Sequence, residues 1–221
     1  LAENTLSVGL TALVIIFQPE LRKALENLGG KNVLGKLFDF GKVEENKFSD
    51  HTIDELIKAC YAMGKVKTGA LIVIEDEILL NEYVRTGIDI DAIISSQLLI
   101  NIFEKNTPLH DGAVIVRGDR VVSATCYLPL SDSMTLSKDL GTRHRAAVGI
   151  SEVSDSLTIV VSEETGKVSI AMRGQIYRNV NADFLRGKLK YLQNRNQQVT
   201  KLGLLKRRFM NGKKDSKNLG E

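Results

Sequence analysis

Tryptophan is absent from this chain of 221 residues, and aromatic residues make up only 5% of it. A surface so poor in flat rings offers no run of stacking platforms for single-stranded nucleic acid, so nucleic acid is not an expected partner. Cysteine is equally scarce. Cys60 and Cys126 lie far apart in apolar surroundings, with no CxxC and no Cys/His cluster. That pattern argues against a disulfide framework or a structural zinc site, and both thiols read as reduced core residues. The common phosphate cradles are missing too. Neither GxxxxGK followed by Ser or Thr nor GxGxxG occurs, so any bound nucleotide is held by other means. A long membrane-spanning run is also lacking. The uncharged stretch Leu6–Phe17 is shorter than the roughly 20 residues a bilayer requires. It has neither a basic leading region nor a small-residue cleavage site, so it is no signal peptide. Two readings stay open for it: the end of a truncated transmembrane helix, or a buried helix of a soluble domain.

What is present is core-forming material. With 43% hydrophobic residues the chain can bury a full core, and its length suits one domain with extensions. Net charge is only +3, but it is unevenly spread. Residues 186–221 hold 11 basic and 2 acidic side chains, against 19 basic and 25 acidic elsewhere. The basic tail is either a solvated end or a contact for a membrane surface or partner.

Residues 18–48 read as a helix beginning near Pro19, stopped by Gly29-Gly30 and followed by a linker. Thr52-Ile53-Asp54-Glu55 reads as a capping box opening an amphipathic helix that ends at Gly64. Gly69–Glu75 is almost wholly apolar and predicts a strand buried on both faces. Asp91–Glu104 is expected to be a helix. Strands are expected over Gly112–Gly118 and Arg120–Leu128, joined by a turn at Gly118-Asp119. Two more are expected at Leu157–Ser162 and Lys167–Arg173, and a last helix from Asn181 or Asp183 to about Leu192. Helices interleaved with hairpins predict an α/β fold, a mixed central β-sheet flanked by helices on both faces. The expected divisions are 1–17, 18–48, a core domain over 49–190, and the basic tail 191–221.

Two segments carry chemistry. Gly141-Thr142-Arg143-His144-Arg145-Ala146-Ala147 reads as an N-cap at Thr142, a basic first turn and an apolar helix. Cations at a helix N-terminus oppose the macrodipole, so the placement suits a bound anion; the alternative is a solvated turn paired with nearby carboxylates. In Thr107-Pro108-Leu109-His110-Asp111-Gly112-Ala113, Asp111 can hold a divalent metal or accept a proton, or it can serve only the turn. His110 is a ligand or a structural histidine. Tyr127 can stack on a base or lie in the core. Glu163 and Glu164 read as a solvated pair in a hairpin turn.

Leu109-His110-Asp111-Gly112-Ala113 and Gly141-Thr142-Arg143-His144-Arg145 together resemble the two signature motifs of the diadenylate cyclase (DAC) domain. The resemblance runs from about Asp50 to Val180. Ile15-Ile16-Phe17-Gln18-Pro19-Glu20-Leu21-Arg22 is similar to the exit from the third transmembrane helix of the membrane-bound, CdaA-type branch. It implies that residues 1–17 are the remnant of such a helix, with a membrane-embedded full-length protein and a cytoplasmic catalytic domain. The implied activity joins two ATP molecules into the second messenger cyclic di-AMP, with loss of two pyrophosphates, between two face-to-face protomers. By resemblance Asp111 activates the 3′-hydroxyl and lies by a divalent metal (manganese, magnesium or cobalt). Gly112 and Ala113 approach the ribose and phosphates, and Thr142, Arg143, His144 and Arg145 hold the triphosphate. Tyr127 and Leu128 match adenine contacts, Ser162 a phosphate contact, and Glu164 and His110 further metal ligands. Members of this type are linked to a membrane-anchored regulator and a phosphoglucosamine mutase. The competing readings are a nucleotide-binding regulatory module without turnover and a membrane-tethered scaffold.

Overall fold

The computed structural model describes residues 17–18, 48–134, 136–137 and 140–194. The expected membrane remnant, most of the linker and most of the basic tail lie outside the described residues. Among those described, no helix is long and apolar enough to cross a membrane.

The elements are α1 (Asp50–Lys65), β1 (Ala70–Ile74), α2 (Asn81–Val84), β2 (Ile88–Ile93), α3 (Ser96–Ile102), β3 (Ala113–Arg117), β4 (Arg120–Cys126), α4 (Thr142–Val153), β5 (Leu157–Val161), β6 (Val168–Met172) and β7 (Gln175–Tyr177). A last helix, α5, occupies residues 182–194. Seven strands form one sheet in the order β2-β4-β3-β1-β5-β6-β7. β1 pairs parallel with β3 and antiparallel with β5, so the sheet is mixed, as expected.

Strand periodicity sends alternate side chains to opposite faces. Ala70, Ile72 and Ile74 join Val114, Val116, Ile159 and Ile170 in a core under α1, α3 and α5. Leu71 and Val73 join Ile115, Val160 and Ala171 in a second core under α4. Because both faces are covered, β1, β5 and β6 are buried along their whole length; β1 is wholly apolar, and β5 and β6 are interrupted only by Thr158 and Ser169. Each such Val, Leu or Ile contributes about 1.5–3 kcal/mol on burial.

Several local expectations give way. α1 starts at Asp50 with Ser49 as its cap, the Ser49 side chain accepting from the Thr52 N–H at 3.2 Å. Thr52 and Glu55 therefore form no capping box. The Thr52 hydroxyl donates to Asp119 at 2.6 Å, and Glu55 accepts from the Ser96 N–H. Tertiary partners outcompete the local motif. The helix expected over 91–104 is shorter, running from Ser96 and capped by Ser95. Residues 88–93, Ile-Asp-Ile-Asp-Ala-Ile, alternate with period 2 and form an edge strand on β4, bulged between Asp89 and Ala92. α2 and the edge strand β7 carried no recognised signal. Asn181 caps α5 by accepting from the Phe184 N–H at 2.9 Å. Both cysteines are free and buried, and burial pushes the Cys60 thiol up to about 12.

Candidate active site

The strand register brings the motif residues to one end of the sheet. β1 and β3 run parallel and start side by side. β4 ends there, with Cys126 opposite Ala113, and β5 ends there, with Val161 opposite Ala70. The neighbours along this end are thus Tyr127-Leu128, His110-Asp111-Gly112, Gly69 and Ser162-Glu163-Glu164. A separation of more than 50 residues between Asp111 and Glu164 is removed by strand pairing alone.

Gly112 has φ +126°, and a Cβ there would lie 2.6 Å from the carbonyl carbon of Thr125. The glycine is therefore demanded by the fold as well as by any ligand. Thr125 itself has φ +61°, costly for a β-branched residue, in a stretch of β4 where the register with β3 shifts. Such a bulge redirects the chain beyond it. Tyr127 lies just past this bulge, 71% exposed, its N–H donating to the Thr86 hydroxyl at 2.9 Å. The core reading of Tyr127 is excluded, and its ring is free to meet a ligand. Leu128 is half-buried against the core under α4. Asp111 is exposed. His110 Nδ1 lies 2.6 Å from the Thr107 carbonyl oxygen, which can only accept. Nδ1 is therefore the donor in this contact, which leaves Nε2 outside it.

The basic turn opens α4. Its N-cap is Gly141, not Thr142, and no side chain caps the first turn. Thr142 is the first helical residue because the backbone leaves the extended conformation one position earlier than its side chain suggested. The His144 and Arg145 N–H groups donate to the Gly141 carbonyl at 3.1 and 3.2 Å, while no side chain caps the start of the turn, and its arginines add donors there. Arg143 Nη1 donates to Glu163 Oε2 at 2.7 Å. His144 is half-buried; burial pulls its pKa below the ordinary value, the charge of Arg178 adds to that, and Glu164 partly opposes it. The Arg145 carbonyl accepts from the Ser131 N–H at 3.0 Å, tying the chain after β4 to this turn. The Ser162 hydroxyl accepts from the Thr165 N–H at 3.2 Å and braces the β5–β6 turn.

Among the described residues there is no cluster of three or more His, Cys, Asp and Glu side chains able to hold a metal. His110, Asp111 and Glu164 thus do not form a complete ligand set within one chain. Their chemistry still fits a hard divalent ion of the kind that nucleotide phosphates complete, which takes one or two carboxylates from the protein. Sequence reading overlooked Gly69, Thr125, the pairing of Glu163 and the charge of Arg178. Gly69, leading an apolar run, offered a faint signal; the others depend on contacts between distant strands.

Residues 57–176 match the model of a family described as DAC, DisA bacterial checkpoint controller nucleotide-binding. The chain is 50% identical over 190 residues to the cyclic di-AMP synthase CdaA of Bacillus subtilis, covering 86% of this chain and 68% of that protein. It is 51% identical over 185 residues to a diadenylate cyclase of Listeria monocytogenes, covering 84% of this chain and 66% of the relative. It therefore spans about two thirds of the length of these relatives. The fold is similar to the crystal structure of a double mutant of DacA from Staphylococcus aureus, with TM-score 0.64 and 49% identity over 65% of this chain and 96% of that one. A hypothetical membrane spanning protein from Bacillus cereus is similar at TM-score 0.58 and 34% identity, over 81% of this chain and 89% of that one. A model match across more than half the sequence, with relatives at half identity, means that the chain belongs to the DAC family.

Proposed function

We propose that this chain is a diadenylate cyclase, a nucleotidyltransferase that condenses two ATP molecules into cyclic di-AMP and two pyrophosphates. One observation carries the reading: the exposed Asp111, just before β3, and the arginine-bearing start of α4, which has no side-chain cap and whose Arg143 pairs with Glu163 over Gly69, belong to the same end of the sheet. An acid beside a polyanion site is the arrangement phosphoryl transfer requires.

In this mechanism the 3′-hydroxyl oxygen of one ATP attacks the α-phosphorus of the other. The new P–O bond forms as the bond to pyrophosphate breaks, and Asp111 takes the hydroxyl proton. Arg143 and Arg145 neutralise and orient the triphosphate. His144, whose pKa is lowered chiefly by burial, donates a hydrogen bond to phosphate. Tyr127 and Leu128 cover the adenine, Gly112 and Ala113 admit the ribose, and Thr142 and Ser162 contact phosphate. Asp111 and His110, with Glu164, would hold a divalent ion such as manganese, magnesium or cobalt, whose charge assists pyrophosphate departure. Each product needs two ribose attacks, so two protomers must face each other across a two-fold axis. That contact is weak in solution and strengthened by tethering to a membrane. The apolar run before Gln18 and the likeness to a membrane spanning protein support a membrane-embedded full-length protein with this domain in the cytoplasm.

The test is incubation with ATP and manganese, followed by chromatography for cyclic di-AMP and pyrophosphate across a dilution series, with ultracentrifugation alongside. Specific activity should rise with enzyme concentration. A dimeric preparation that binds ATP without making product would instead make this chain a regulatory nucleotide-binding module. Constant activity in purely monomeric samples would exclude the two-protomer site.

A further inference from the structure

We infer that Glu163 is a positioning residue for Arg143, and that Gly69 lacks a side chain so that the two can meet. The inference rests on reading the start of α4 as the triphosphate site. Its basis is a three-part contact. Arg143 Nη1 donates to Glu163 Oε2 at 2.7 Å. A Cβ on Gly69 would stand 2.7 Å from that same Nη1 and 3.0 Å from that same Oε2. The ion pair therefore lies directly over the backbone at the start of β1, where any side chain larger than hydrogen intrudes. Gly69 has no left-handed φ to account for it, so close approach is the reason left.

Stability does not explain the pair. The Arg143 side chain is 24% exposed and that of Glu163 54% exposed, and such solvated pairs contribute about 0–1 kcal/mol. Orientation does explain it. Arg143 sits in the first turn of α4, where the macrodipole repels a guanidinium and leaves a long side chain without a preferred direction. Glu163 grips it end-on through one terminal nitrogen. The planar fork keeps its other donors for a phosphate. A carboxylate next to a triphosphate is unfavourable by charge alone. Its presence makes sense only if fixing the guanidinium outweighs the added repulsion. Holding one flexible side chain in place contributes about 0.5–1.5 kcal/mol to binding, which corresponds to roughly two- to tenfold in affinity.

The test uses the full 221-residue chain and a non-hydrolysable ATP analogue, with binding read by calorimetry and turnover read separately. Glu163→Ala should weaken the analogue about three- to tenfold and leave adenosine unchanged. Glu163→Gln, which keeps the accepting oxygen, should stay within about twofold of wild type. Gly69→Ala displaces the flexible end of Arg143 and should match Glu163→Ala. The double variant should be no worse than either single one, because both remove the same contact. All should keep the thermal midpoint within about 2 °C, since a solvated pair adds little to stability. Tighter analogue binding in both Glu163 variants would make Glu163 a competing anion and overturn the inference. So would unchanged binding in Glu163→Ala, additive losses in the double variant, or equal losses for analogue and adenosine. The binding arm needs no turnover, so a chain that binds ATP without cyclising it would refute the proposed activity and leave this inference standing.

Discussion

Arginine meets glutamate at both ends of the central strands, with opposite consequences. At the far end, beyond β1 and β3, Arg117 pairs with Glu75, whose side chain is 1% exposed. Glu75 also accepts from the Leu80 N–H at 2.8 Å, and Arg117 reaches the Asn81 side chain at 2.8 Å. Nearby, the N–H groups of Glu77 and Ile78 end on the Asp155 carboxylate at 3.2 and 3.1 Å. Every partner there belongs to the chain itself, and the charges close a loop of backbone. At the near end, Arg143 meets Glu163 in partial solvent, Asp111 is exposed, and the first turn of α4 has no side-chain cap. The same ion-pair chemistry builds the scaffold where it is buried and satisfied, and a receptive surface where it is open.

Breaking the far pair should have the largest effect on the fold. Glu75→Ala strands a partly buried guanidinium and an unaccepted N–H, and should lower unfolding free energy by about 3–5 kcal/mol in a denaturant titration. A loss below about 1 kcal/mol would erase the contrast between the two ends. Asp111→Asn should do the reverse. Turnover should fall at least about a hundredfold while the denaturant midpoint holds, because the carboxylate is exposed and its work is proton acceptance. Near-normal cyclic di-AMP formation would remove Asp111 from the mechanism. Smaller changes are expected from Arg143→Ala and Arg145→Ala. Each should weaken ATP by about tenfold or more and adenosine far less, as charged hydrogen bonds contribute roughly 1.5–3 kcal/mol. Equal losses for both ligands would assign the arginines to the fold.

The smallest effect lies in pH dependence at the far end. Burial raises the Asp119 carboxyl, but the Thr52 hydroxyl and the Ser49 N–H together outweigh that and hold it below its ordinary value. A depressed folded-state pKa gives stability that is complete above the unfolded value of about 3.9 and lost as pH falls through the folded one. Wild type should therefore exceed Asp119→Asn in stability above about pH 4, with the gap closing in stronger acid. A gap constant across that range, followed by calorimetry, would mean the carboxylate is not the titrating group.

Much of the fold was legible because it depends on local pattern. The apolar run at 70–74 pointed to a strand covered on both faces, and the β-rich runs at 113–117, 157–161 and 168–172 to further strands. Composition also excluded disulfides as the source of stability, and the motifs around Asp111 and Arg143 pointed to a polyanion. Capping was less legible. Ser49 and Gly141 took the positions assigned to Thr52 and Thr142, because Thr52 found Asp119 across the fold and Gly141 is the last extended residue before the helix, which Thr142 already joins. The strand at 88–93 was hidden by an isoleucine-rich helix that comes closely after it.

The sequence by itself determined which segments are apolar and which charged groups are available to a nucleotide. Only the tertiary structure decided which of them meet. Parallel pairing of β1 with β3 and antiparallel pairing with β5 brought the segments holding Gly69, Asp111 and Glu163 to one end of the sheet, and packing of α4 on the sheet laid Arg143 across that glycine and against Glu163. Backbone hydrogen bonding fixes this register for strands far apart in sequence, and no local pattern encodes which distant carboxylate an arginine will reach.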